Sequence, residues 1–206
     1  MGKKYLLIHN LSNQGGAEKQ CALIAQNCII DNIYLLNNPN QYEDLANITK
    51  VIFDKKISRF KQLMFGVYRL SKEIDKSDTM ISFMELSNFI NIFSKIFFTN
   101  HKCVISIRIS PNYYKSVRFG VIGILLMKLI YPYADIITSN SKESLNQLKK
   151  IVKTSRSKFK LINNAINLSK IKYTSTEKKL PDNYLVTIGR LSKQKNIFFQ
   201  RNTRKI

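Results

Sequence analysis

The chain alternates, almost from end to end, between two kinds of segment, and this alternation constrains its fold more than any other feature. Short apolar runs bounded by polar turns read as buried strands: Tyr5–His9, Asn32–Leu36, Val51–Phe53, Thr79–Phe83, Cys103–Ile107, Ile136–Thr138 and Phe159–Ile162. Between them lie longer stretches with helical spacing. Ala17–Cys28 sets Cys21, Ile24, Ala25 and Cys28 on one face, and Ile57–Ile74 runs Ile57, Phe60, Met64, Val67, Leu70 and Ile74 along one stripe. Leu86–Phe98 and Ser141–Val152 read as further helices. Strands that are apolar throughout, rather than alternately, are buried on both sides. The expectation is an α/β fold, a Rossmann-like parallel sheet with helices on both faces.

The pattern breaks at "NLSKIKYTSTEKKLPDN", which is polar, charged and carries Pro181. It reads as a linker over 167–183. Residues 1–166 then form one domain, and "YLVTI" opens a second strand–turn unit over 184–206. Hydrophobic residues make up 44% of the 206, enough for a real core. The three cysteines suggest neither a disulfide framework nor a zinc site and suit a reducing cytoplasm. The longest apolar stretch, 119–133, is interrupted by Lys128, closed by Pro132, and shorter than the about 20 residues a span requires.

The net charge of +21 has three readings: nucleic-acid binding, docking on an anionic membrane surface, and a plain compositional bias toward Lys, Asn and Ile. No helix-turn-helix, zinc finger or aromatic RNA platform accompanies the charge. A basic module binding nucleic acid or a partner domain is the alternative to an enzyme. Two patches suit a membrane: Lys55, Lys56, Arg59, Lys61, Arg69 and Lys72 on or near one helix, and Tyr113, Tyr114, Lys115 and Arg118 leading into the apolar run from Phe119. The segment Val121–Ile130 reads equally as an ordinary core helix.

Several motifs can carry chemistry. In "NLSNQGGAEKQCALIA", Gly15 and Gly16 stand between a strand and a helix, where a ligand can approach the backbone and the helix N-terminus suits a phosphate. The same glycines also suit a bare tight turn. Gly-x-Gly-x-x-Gly is absent, which argues against a nicotinamide or flavin enzyme. In "TIGRLSKQKN", Arg190 and Lys195 flank a turn after a strand and can clamp a diphosphate. Arg108 closes the strand of "VISIRIS"; a guanidinium cannot serve as a base at neutral pH, so it positions or stabilises charge. In "DTMISFMELSN", Glu85 and Asn88 can meet hydroxyl groups or simply cap the following helix. His9 and His101 are isolated, and no Asp-x-Asp metal motif occurs.

Four blocks together resemble the family-4 retaining glycosyltransferases of GT-B fold. They are "GGAEK", "YADIITSNSKESLNQL", "KLINNAINLSKI" (with Asn167 where the family usually has Asp) and "VTIGRLSKQKN", in the family's order and running through the whole chain. The resemblance implies transfer of a sugar, with retention, from a nucleotide-diphosphate sugar (a UDP-sugar) to a glycan or lipid-linked acceptor, without a metal or other cofactor. It places Gly15, Gly16 and Glu18 in an acceptor-side loop, Arg190 and Lys195 on the donor diphosphate, Arg108 near the reacting groups as a catalytic residue, and Glu85 and Asn88 near the acceptor. It implies a cytoplasmic protein in peripheral contact with the inner face of the membrane. The family's donor domain is of comparable size to its first domain, so 184–206 reads as its truncated start, lacking two nucleotide-binding glutamates. A frame slip near residue 199 or a separately encoded C-terminal domain would account for this, and the chain alone is expected to turn over little.

Overall fold

The computed structural model describes residues 2–12, 15–55, 57–111, 120–154 and 158–168. All but Leu168 fall in the first of two units into which the chain divides, Met1–Asn167 and Leu168–Ile206. The first unit contains the seven expected strands: β1 (Lys4–Ile8), β2 (Asn32–Asn37), β3 (Thr49–Phe53), β4 (Thr79–Phe83), β5 (Lys102–Ile107), β6 (Ile136–Ser139) and β7 (Lys158–Leu161). Every pairing is parallel and the order is β3-β2-β1-β4-β5-β6-β7. The helices are α1 (Gly16–Asn27), α2 (Arg59–Ser71), α3 (Glu85–Ser94), α4 (Gly120–Ile130) and α5 (Lys142–Ile151).

The chain winds outward one way from β1 to β3, then crosses back and winds the other way from β4. Right-handed crossovers therefore put the connections of the two halves on opposite faces. The packing shows this. On one face Leu6, Ile8, Ile33, Leu35 and Phe83 meet Cys21 and Ala22 of α1. On the other, Tyr5, Leu7 and Met80 meet Val67 and Leu70 of α2 and Ile90 of α3. Farther along that face, Ile105, Ile107 and Ile137 meet Ile92 of α3, Met127 of α4 and Leu148 of α5. Burial on both sides explains the continuous apolar strands; each fully buried Leu or Ile contributes about 1.5–3 kcal/mol.

Local signals fix the helix ends. Ser58 caps α2 by accepting from the Lys61 N–H at 3.4 Å, and Ser141 caps α5 by accepting from the Ser144 N–H at 3.2 Å. The helix expected over 86–98 is α3 followed by a π-helical turn, Lys95–Thr99, that ends at Asn100 with φ 49°. A short 3-10 helix, Glu43–Ile48, joins β2 to β3 and buries Leu45. Beneath α3 lies a buried polar ladder. The Asn91 amide donates to the Met80 and Val104 carbonyls, each at 3.2 Å, and its Oδ1 meets His101 Nε2 at 2.8 Å.

Candidate active-site edge

In an open parallel sheet, ligands bind beyond the carboxyl ends of the strands where the winding reverses. Here the reversal falls between β1 and β4. Three chain segments leave the sheet at that edge: the loop from His9 to Gly15, the turn from Phe83 into α3, and the end of β5 at Arg108.

The first loop is tied by Glu18. Its Oε2 accepts from Ser12 Oγ at 2.8 Å and from the Gly15 N–H at 3.1 Å, so both residues are held at the first turn of α1. Gly15 has φ −112° and ψ 151°, which any residue can adopt. A Cβ on Gly15 would meet only the Glu18 carboxyl at 3.4 Å, and a Cβ on Gly16 would meet nothing within 4 Å. Neither glycine is therefore required by packing. The open space in front of Gly16 is what a close-approaching ligand needs. Gly66 is the opposite case: a Cβ there would stand 3.0 Å from Ile90 Cδ1, so it serves the α2–α3 contact.

At the end of β4, Met84 has φ 72° and ψ 161°, a conformation close to glycine-only. Its N–H donates to the Ser106 carbonyl at 3.3 Å and its carbonyl accepts the Asn88 N–H at 2.9 Å, so both neighbours hold the strain in place. The turn delivers Glu85 as the first residue of α3. Glu85 Oε1 is buried with no hydrogen-bond partner. Burial raises the Glu85 pKa above the usual carboxylate value, against its own backbone N–H and the cation of Arg59. Arg59, the first residue of α2, also acts on His9, whose pKa is lowered by desolvation first and by Arg59 second.

Asn88 is fully buried. Its Oδ1 accepts from Ser82 Oγ at 2.8 Å and its amide donates to the Ser106 carbonyl at 3.4 Å. It offers no atom to an acceptor, so its part in this edge is to brace the strained turn from behind. Helical periodicity points Asn88 inward, one turn after Glu85.

Arg108 leaves β5 on the α1 side. Its guanidinium carbon lies 5.3 Å from the Phe83 ring centroid and its Nη1 donates to Asn164 Oδ1 at 2.7 Å. Burial lowers its pKa, opposed by the neighbouring Cys21 thiol of α1. The segment carrying Asn164 is pinned to α1 by a two-way amide contact: Gln20 Nε2 donates to the Ala165 carbonyl at 2.7 Å, and the Ala165 N–H donates to Gln20 Oε1 at 2.8 Å.

The structure thus brings Gly15, Gly16 and Glu18 together, sets Arg108 against the same helix, and places Glu85 at the next strand end. Arg190 and Lys195 lie outside the described residues, as do Tyr113, Tyr114, Lys115 and Arg118 of the second basic patch. Sequence reasoning missed Arg59 as a neighbour of this edge, reading it only as one cation of a basic helix. Its place directly after a capping Ser58 was the available signal. The strain at Met84 has none, because the residue is not glycine. No group of three His, Cys, Asp or Glu side chains suited to a metal occurs among the described residues.

Two helix faces are unusual. The outer stripe of α2 exposes Phe60 (72%), Met64 and Tyr68, and the outer face of α4 exposes Val121 (83%), Ile122 (72%) and Leu125. Only Gly123 and Met127 of α4 are buried, so the core reading of this helix holds for one side of it. No acidic residue occurs between 55 and 72 or between 86 and 134. No helix among the described residues is long and apolar enough to cross a membrane.

No family model matches the chain. Over 122 residues it is 32% identical to the N-acetylgalactosamine-N,N'-diacetylbacillosaminyl-diphospho-undecaprenol 4-alpha-N-acetylgalactosaminyltransferase of Campylobacter jejuni subsp. jejuni serotype O:2. That match covers 58% of this chain and 33% of the transferase, so the chain spans about a third of the curated relative it matches. Among solved structures, the apo form of the lipopolysaccharide outer core galactosyltransferase WaaB matches with a TM-score of 0.59 at 14% identity, over 87% of this chain and 50% of that one. The second likeness shows the fold, and the first a similarity of sequence to part of one glycosyltransferase.

Proposed function

We propose that the chain supplies the acceptor side of a retaining glycosyltransferase, which moves a sugar from a nucleotide-diphosphate sugar, a UDP-sugar, to a lipid-linked glycan acceptor. The observation that carries this reading is the switch-point edge itself. Gly16 has open space in front of it, and at the next strand end a strained Met84 leads into Glu85, whose Oε1 is buried without a hydrogen-bond partner. The name of the Campylobacter relative, which specifies a diphospho-undecaprenol substrate, supports the lipid-linked class of acceptor.

In such a transfer the sugar departs and leaves negative charge on the diphosphate. Fixed cations and N–H groups aimed at that charge supply much of the rate. Arg190 and Lys195 take this role after the linker 167–183. Residues 1–166 position the acceptor. Glu85 accepts a hydrogen bond from an acceptor hydroxyl, and Arg108 is the fixed positive charge of the edge. The exposed apolar stripes of α2 and α4, ringed by Arg59, Lys61, Lys72 and Lys128 without acids, rest on the anionic inner face of the cytoplasmic membrane. Each cation near such a surface adds about 1 kcal/mol.

The test is transfer itself. The purified chain, alone and mixed with a donor domain supplied as a separate polypeptide, is incubated with a panel of nucleotide sugars and a polyprenyl-diphosphate-linked amino sugar. Mass spectrometry should show a one-sugar mass gain in at least one of the two arrangements. No gain in either arrangement, with any donor, contradicts the proposal.

A further inference from the structure

A helix lying on a sheet ordinarily presents apolar side chains to it. Beneath α3 the contact is polar instead: Asn88 and Asn91 of the helix, Ser82 of β4 and His101, which precedes β5, are all buried. Buried polar groups cost stability unless they are bonded, and these are bonded in series. Thr99 Oγ1 meets His101 Nδ1 at 2.5 Å, and His101 Nε2 meets Asn91 Oδ1 at 2.8 Å. The Asn91 amide donates to Ser82 Oγ at 3.0 Å, and Ser82 Oγ donates to Asn88 Oδ1 at 2.8 Å. The Asn88 amide donates to the Ser106 carbonyl, the same oxygen that receives the N–H of the strained Met84. The series begins at the edge where β5 enters the sheet and ends at the edge where β4 leaves it. Met80 and Met84 mark these two ends on β4, about 13 Å apart at 3.3 Å per residue.

Two carbonyls fix the direction of donation. The Asn91 amide nitrogen faces those of Met80 and Val104, so its oxygen, an acceptor, is what faces His101. His101 Nε2 therefore carries the proton, and Nδ1 of the neutral ring accepts from the Thr99 hydroxyl. Burial keeps the ring neutral; Lys95 acts in the same sense, and Asp135 and Asp78 oppose it. From Thr99 to the Ser106 carbonyl every group donates forward, and bonds aligned in this way strengthen one another. Met84 is held by Ser106 and Asn88, Asn88 by Ser82, Ser82 by Asn91, and Asn91 by His101. A shift of α3 by one residue, about 1.5 Å along its axis, would break each link. The series thus fixes where the first residue of that helix, Glu85, presents its carboxyl.

We propose that Thr99, His101, Asn91 and Ser82 are positioning residues for the Met84–Glu85 turn, acting through one buried relay that ends on Asn88. The proposed function enters only in reading Glu85 as a ligand-side carboxyl; the relay itself is a property of the fold. Thr99 and His101 stand at the far edge of the sheet and touch no ligand, yet they set the geometry that a ligand meets.

NMR of the full chain with isotope-labelled histidine and glutamate tests this, the Glu85 carboxyl being assigned with Glu85→Gln. Native His101 should show the Nε2–H tautomer. His101→Phe keeps the bulk of the ring and removes the N–H, so the turn should loosen and water should reach Glu85. Its carboxyl, which burial holds high, should then titrate at lower pH, with an acid constant changed at least about twofold. His101→Gln returns an N–H to Asn91 and should restore the native titration. In a Ser82→Ala chain the relay is already cut, and adding His101→Phe should move Glu85 no further. Thr99→Val, at the half-buried start of the relay, should shift Glu85 in the same direction while Thr99→Ser does not, and it decides the matter where His101→Phe does not fold. An Nδ1–H tautomer in the native chain overturns the proposal. So does a Glu85 titration unmoved in every folded variant that breaks the relay, or one that His101→Phe moves equally with and without Ser82→Ala. These readouts need neither donor nor acceptor, so a relay found in a chain that transfers no sugar leaves this inference standing while the proposed function falls.

Discussion

Gly16→Ala separates a glycine kept for a ligand from a glycine kept for the fold. Gly16 is the first residue of α1, and a Cβ there would touch nothing within 4 Å. Alanine is favoured over glycine in a helix interior by about 1 kcal/mol, and less at the first turn. The unfolded chain also loses freedom. The variant should therefore be more stable than the native chain by about 0.5 kcal/mol in urea unfolding. The methyl group fills the space through which a ligand would reach the backbone, so pyrophosphate affinity should fall about tenfold, equivalent to about 1.4 kcal/mol. Gly66→Ala is the control. Its Cβ meets Ile90 at 3.0 Å, and overpacking costs about 1–3 kcal/mol against about 1 gained in the helix. It should lose about 1 kcal/mol of stability and leave pyrophosphate binding unchanged. Opposite signs for stability and affinity at Gly16 are the signature. A Gly16→Ala chain destabilised by more than about 1 kcal/mol, or one that binds pyrophosphate as the native chain does, refutes the reasoning.

Three further outcomes are expected. Burial drives His101 from an ordinary pKa of 6.5 to about 4. The folded state then binds fewer protons than the unfolded state between these values, and stability falls as pH drops through that window, by about 2 kcal/mol at pH 5 and about 3 at pH 4. Urea unfolding of His101→Gln should lack this component, and parallel pH profiles for the two chains would contradict it. At Met84, φ 72° strains any side chain, so Met84→Gly should be more stable than Met84→Ala by about 1–2 kcal/mol; equal stabilities would show that the turn relaxes. Replacing Phe60 and Ile122 together by serine should reduce sedimentation with phosphatidylglycerol vesicles at least tenfold while the melting temperature changes little. Native binding that ignores the anionic lipid content would count against docking by charge and apolar contact.

The sheet was legible because every strand except part of β3 and β7 is apolar on both sides, and that pattern has no other stable use in a chain of this length. The direction of winding was not, since nothing in the runs themselves says that β4 returns beside β1. Glu43–Ile48 was missed because "EDLANI" buries one residue, Leu45, and shows no period. The segment "GVIGILLMKLI" is apolar all round, so spacing could not say that one side of α4 faces outward. Around the edge, the glycine pair and Arg108 were readable as single residues after strands. What gives them meaning was not: Asn164 lies 56 positions from Arg108, and the strain at Met84 comes from the Ser106 and Asn88 bonds on either side of it. At Asn88 the polarity was visible and the inward direction was not.

The central claim is that the carboxyl edge around Gly15–Gly16, Glu85 and Arg108 holds the acceptor. Photo-crosslinking tests it most directly. A polyprenyl-diphosphate-linked sugar carrying a diazirine on the sugar is irradiated with the native chain in vesicles, and the labelled peptides are mapped by mass spectrometry. The account predicts labels within 9–20, 84–88 and 106–110, lost on competition with unlabelled acceptor. Labels confined to the opposite edge of the sheet, or the same pattern from a lipid carrying no diphosphate or sugar, would contradict it.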